Sequence, residues 1–184
     1  MENHRKLSRR CDIAIYRLGD RVPRIADDAY VHPEAVIIGD VTLGPQSSVW
    51  PCAVLRGDTE PIEVGAGTSI QDGTVIHSNT VHPTVIGARC VVGHCVHIEG
   101  ATVGDDTMIG SGAIVLPGAR IGANALVGAG AVILVGKEIP AFARATGVPA
   151  TVTPDVVAPQ AFARSVASYI ARGHRYRTEL ERIG

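Results

Sequence analysis

The stretch VGHCVHIEG, residues 92–100, places His94, His97 and Glu99 within six positions. Upstream, SIQDGTVIH ends on His77 and carries Gln71 and Asp72, and LRGD carries Arg56 and Asp58. Two histidines and one glutamate with an open fourth position form a workable catalytic zinc set. A glutamine beside such a set can orient water, and Arg with Asp can build an ion-pair network. Each residue also has an ordinary alternative: a hydrogen-bonded structural histidine, a solvated glutamine, or a surface turn at R-G-D. Which alternative holds depends on the elements that carry these side chains.

Composition narrows the classes. Seventeen basic residues against 18 acidic ones leave no field for a nucleic-acid partner, and no apolar run reaches membrane-spanning length. The four cysteines, Cys11, Cys52, Cys90 and Cys95, show no C-x-x-C spacing, and no hydrophobic signal segment is visible. A reduced, cytoplasmic setting is therefore expected. Apolar residues make up 46%, aromatics only 4%, and glycines number 21. Such an interior must be built from small and β-branched side chains with many tight corners.

The period is six. Val103, Ile109, Val115, Ile121, Val127, Ile133 and Ile139 step by six, as do Ile25, Val31, Ile37, Leu43, Val49 and Leu55. Shorter frames run through Val64, Ile70, Ile76 and through Ile86, Val92, Ile98. Four residues after each aliphatic comes a small or β-branched residue, among them Ala53, Thr68, Thr74, Cys90, Thr107 and Ala113. One large and one small inward residue per hexad suit a narrow triangular coil, three hexads to a turn, stacked as a parallel β-helix. The frame shifts at 55–64 and 76–86 predict loops leaving the coil, where function tends to sit. The expected organisation is an N-terminal tail over 1–17, a β-helix domain over 18–150, and a C-terminal segment over 151–184. Within the last, Phe162, Val166, Tyr169, Ile170, Tyr176 and Leu180 predict a packing helix with an apolar stripe interrupted at Gly173.

Three hexads per coil turn the sequence into a map. Arg56, His77, Glu99 and Leu116 fall in one column, successive members about 4.8 Å apart. His94 lies on the preceding face, above Asp72. One chain therefore presents His77 and Glu99 together and sends His94 elsewhere. A second copy would have to lend His94, and a triangular prism invites three copies about a threefold axis.

SVWPCAVLRGD, SIQDGTVIH, VVGHCVHIEG and MIGSGAIVLPGARIGANALVGAGAV together resemble the γ-class carbonic anhydrase family over residues 18–150. The resemblance implies an all-β, left-handed parallel β-helix with a C-terminal α-helix, a homotrimer, and Zn2+ or Fe2+ at each subunit interface. It implies His77 and His94 as metal ligands, Arg56, Asp58 and Asp72 as interface ion-pair partners, and Gln71 near the metal-bound water. A tyrosine of the C-terminal helix, Tyr169, is the candidate for a further catalytic group, with stripe packing as its alternative. The family reads G-H-x-x-x-x-H-G, and here the place of the last histidine is taken by Glu99. Glu99 is thus either a carboxylate ligand or an ion-pair acceptor in a metal-free interface. His97 as third ligand would require the strand to reorient, and His82 reads as a solvated loop residue.

The implied activity is metal-hydroxide hydration of CO2 to bicarbonate, weak or absent because a carboxylate lowers the charge of the metal cluster and so the acidity of bound water. Two other classes stay open: a non-catalytic trimeric scaffold or binding protein, and a hexapeptide-repeat acyltransferase.

Overall fold

A hexad that buries one aliphatic and one small side chain turns the backbone through one corner of a triangle, and the computed structural model, which describes residues 13–184, follows that rule. It is a parallel β-solenoid of about seven coils with one C-terminal helix. Call the faces first, second and third in chain order. The first carries Ala14–Tyr16, Val75–His77, His97–Glu99, Ile114–Val115 and Val132–Ile133; the second carries Arg24–Ile25, Thr84–Ile86, Thr102–Val103, Arg120–Ile121 and Glu138–Ile139. The strands Val36–Leu43 and Val54–Val64 run over both. The third face stacks Tyr30–Val31, Ser48–Val49, Ser69–Ile70, Val91–Val92, Met108–Ile109, Leu126–Val127 and Arg144–Thr146. The coil begins at Ala14, whose strand pairs in parallel with Val36–Leu43, and so starts inside the stretch expected to be tail. The rest of that tail, including Cys11, lies outside the described residues.

Every aliphatic of the long six-residue frame from Val103 to Ile139 is buried. The threonines that share the small inward position settle their hydroxyls across the coil. Thr68 Oγ1 donates to the Gly87 carbonyl (2.7 Å) and Thr74 Oγ1 to Gly93 (2.8 Å), while the amides of Cys90 and Val96 donate back to the two hydroxyls. A polar atom inside an apolar prism is tolerated because it is paired.

Two expectations are corrected. Residues 55–64 do not leave the coil: Val54–Val64 is one unbroken strand, paired with Val36–Leu43 on both faces, and its extra residues are absorbed where the register shifts between Gly39 and Val41. The residues there, Thr59, Glu60 and Pro61, stay half-buried, because leaving them on a free loop would unpair the corner backbone. Nor does Gly173 break the apolar stripe of the helix, α1 (Ala163–Glu179). It is buried, and a Cβ there would lie 3.3 Å from the Tyr30 Cβ; glycine is what lets the helix lie down on the third face. There α1 covers Tyr30–Val31, Ser48–Val49 and Ser69–Ile70, packing Tyr169 and Tyr176 edge-on against Trp50. Among the described residues no helix is long and apolar enough to cross a membrane.

Candidate metal centre

Strand alternation decides what faces outward. With Ile98 inside, His97 and Glu99 both point out of the first face. Register then stacks the column as the hexads predict: Arg56 opposite His77, and His77 opposite Glu99. Within it His77 Nε2 lies 2.9 Å from Asp58 Oδ1, and Arg56 contacts the other oxygen of the same carboxylate. Desolvation pushes the Asp58 carboxyl up, but hydrogen bonds from His77 and Arg56, with the Arg56 charge, outweigh it and hold the group below its ordinary value. The His77 ring is therefore fixed through Nε2, which leaves Nδ1 as its free donor. Glu99 meets one basic group, His97, whose Nε2 is 3.6 Å from Glu99 Oε2.

The other half of the set sits around the corner. His94 occupies the turn from third to first face, and its Nδ1 lies 2.9 Å from Asp72 Oδ2, one coil back. A carboxylate beside one ring nitrogen, leaving the other for an ion, is an arrangement common among metal-binding histidines. Half of the His94 side chain is exposed. Gln71, next to Asp72, is only 4% exposed. Its amide makes no side-chain hydrogen bond among the described residues. The chemistry of the donors, two imidazole nitrogens and a carboxylate oxygen, fits zinc or iron. No three His, Cys, Asp or Glu side chains among the described residues gather closely enough to hold an ion within one chain. His77 and Glu99 stand on the first face and His94 at the turn before it, as the hexad map places them.

The structure holds Tyr169 on the third face, 5.7 Å centroid to centroid from Trp50, with the Arg172 guanidinium 5.1 Å over its ring. It shares a face with Gln71 and is not beside His77 and Glu99. His82 is exposed on the loop over 78–83, where the amides of Val81 and His82 donate to Asn79 Oδ1 and fold the loop down onto Gly100. One residue of this neighbourhood escaped the sequence reading. His32 stands in the column of Trp50 and Gln71, and burial pushes its imidazole below the ordinary histidine value, against the opposing charges of Glu34 and Asp72. The six-residue map contained it one coil above Trp50, had the column been followed upward. A concavity of about 1080 Å³ lies between 29–34 and 176–184 and holds none of His77, His94 or Glu99.

The bacterial transferase hexapeptide family model (six repeats) matches residues 100–134. Gamma carbonic anhydrase 1, mitochondrial, of Arabidopsis thaliana is 45% identical over 103 residues, covering 53% of this chain and 38% of that protein. Carbonic anhydrase of Geobacillus kaustophilus is 35% identical over 102 residues, covering 55% of this chain and 56% of that protein. The match thus spans about half or less of these curated relatives. Two crystal structures align nearly end to end. A Bacillus cereus protein with a provisional acetyltransferase assignment has a TM-score of 0.89 at 33% identity, over 92% of this chain and 99% of that one. A hexapeptide transferase family protein from Anaplasma phagocytophilum has 0.83 at 32% identity, over 90% and 98%. The chain belongs to the hexapeptide-repeat family.

Proposed function

We propose that the protein is a γ-carbonic-anhydrase-like metalloprotein that hydrates CO2 to bicarbonate weakly, as a cytoplasmic homotrimer with zinc or iron held between copies. The reading is carried by the Asp72–His94 pair: a half-exposed histidine on a turn with a carboxylate oxygen 2.9 Å from Nδ1, which leaves Nε2 as the nitrogen available to a metal. His77 through Nδ1 and Glu99 through a carboxylate oxygen complete the set from the first face of a neighbouring copy. Support for that neighbour comes from Val75 and Ile114, aliphatic and exposed on either side of His97; covering them removes apolar surface from water. Two curated relatives carry the carbonic anhydrase name.

Bound there, the ion supplies the Lewis acidity that makes water nucleophilic toward CO2. The residues do the rest. Gln71 offers its free amide to orient the water, and Asp58 and Asp72 fix the tautomers of the two imidazoles. Glu99, in place of a neutral imidazole, subtracts one unit of charge from the donor set and weakens the acidity on which the rate depends.

Metal analysis and CO2 hydration of chelator-free protein test this. Wild type is expected to retain metal and hydrate slowly, His94→Ala to lose metal while staying folded, and Glu99→His to raise the hydration rate. A metal-free trimer with no hydratase activity, unaltered by Glu99→His, makes it a scaffold instead. The acyltransferase reading is favoured by the Bacillus cereus structure, yet the loop over 78–83 is folded onto Gly100 and is not a protruding arm. Coenzyme A raising the melting temperature would revive that reading.

A further inference from the structure

The column just before the inward aliphatic, on the outside of the first face, reads Val54, Val75, His97, Ile114 and Val132 down the coils. Four of the five are aliphatic, and one imidazole interrupts them. In the adjacent column stands Glu99, the single departure from the histidine pattern of the ligand motif. The two exceptions are two residues apart on one strand and point the same way, with His97 Nε2 3.6 Å from Glu99 Oε2.

Among the described residues neither has another ion-pair or hydrogen-bonded side-chain partner. The in-register neighbours of His97 are Val75 and Ile114, which offer it nothing polar. Arg56, the nearest arginine in the Glu99 column, is two coils away, roughly 10 Å, and is committed to Asp58. A glutamate has more rotamers to lose than a histidine when it is fixed, so a carboxylate standing where an imidazole is expected needs an anchor to hold one oxygen. An imidazole N–H donates to a carboxylate whether the ring is neutral or charged, and 3.6 Å closes to hydrogen-bond distance with a small side-chain rotation.

We propose that His97 is a positioning residue for Glu99: it ties down Oε2 and leaves Oε1 as the oxygen that faces the shared site. The replaced ligand and the histidine beside it would then form one unit, a carboxylate oriented by an imidazole, the inverse of the Asp72–His94 arrangement. This rests on Glu99 being a ligand, as proposed above.

The test is a cycle read as zinc affinity by chelator competition on the full chain, with the cobalt(II) absorption spectrum as a second readout. His97→Val extends the aliphatic column and should weaken zinc binding 10–100-fold, the usual cost of losing a group that orients a ligand. His97→Gln keeps a donor and should recover part of that loss. Both should be silent in a Glu99→His background, where there is no carboxylate to hold. His97→Val binding as tightly as wild type, or weakening both backgrounds equally, overturns the inference and leaves the metal site standing. A lowered melting temperature with unchanged affinity also overturns it, since that marks packing alone. If wild type takes up no zinc while Glu99→His does, the ligand role of Glu99 fails, and the role of His97 fails with it.

Discussion

Residues 103–139 and residues 55–100 obey the same hexad rule and carry different cargo. In the later coils the frame never slips, and the residues just after the inward aliphatics are Gly104, Gly110, Leu116, Gly122, Gly128, Leu134 and Pro140. None of these can accept or donate a proton through its side chain. In the earlier coils three of the seven equivalent positions are again glycine (Gly65, Gly87 and Gly93), but the other four hold Arg56, Gln71, His77 and Glu99, and it is there that the frame slips at 57–61, 78–83 and 100. Both regions bury the same aliphatic interior, so the difference is not one of stability. The inward residues build the prism and leave the outward ones free, and an ordered strand holds an outward side chain more firmly than a loop does.

That division of labour predicts separable failures. Ile109 is wholly buried in the regular coils, and Ile109→Ala should cost about 2–5 kcal/mol of stability, read as a lower midpoint in chemical denaturation. Metal content per folded chain should not change. A parallel loss of metal affinity would mean that the regular coils set the geometry of the site as well as supporting it.

Next in size is Asp72→Asn. Asp72 contributes nothing to the interior, but its carboxylate holds His94 Nδ1, and the neutral amide should lower zinc affinity about 10–100-fold with little change in the denaturation midpoint. A change in midpoint with affinity intact would sink the separation between the two regions.

The column Arg56–His77–Glu99 was legible in the sequence because the period is regular on either side of each slip and hexads could be counted through it. So was the placement of His94 on another face, by the same count. What could not be read were the features that depend on contact and not on period. Three extra residues at 57–61 look like a loop in one dimension, and only the partner strand shows that the backbone stays paired around them. Gly173 looks like a gap in the apolar stripe until Tyr30 is found beneath it. Asp58 was read as an ion-pair partner, with no sign that His77 would share its carboxylate. The choice of ring nitrogen, on which the donor set depends, is invisible in residue types.

The smallest effect distinguishes a structural from a positional role for Asp58. Its pKa is held low in the fold, so the group contributes stability that is fully present above the ordinary aspartate value of about 4 and is lost as pH falls through its lower folded value. Wild type and Asp58→Asn should differ by less than about 1 kcal/mol at neutral pH, as partly exposed pairs do, and should converge as acid protonates Asp58 in the wild type. Denaturation midpoints of the two proteins at neutral pH and below pH 4 check this. If the gap widens toward low pH, the Asp58 carboxylate is not what holds His77 in the charged coils, and the contrast with the regular coils loses its electrostatic half.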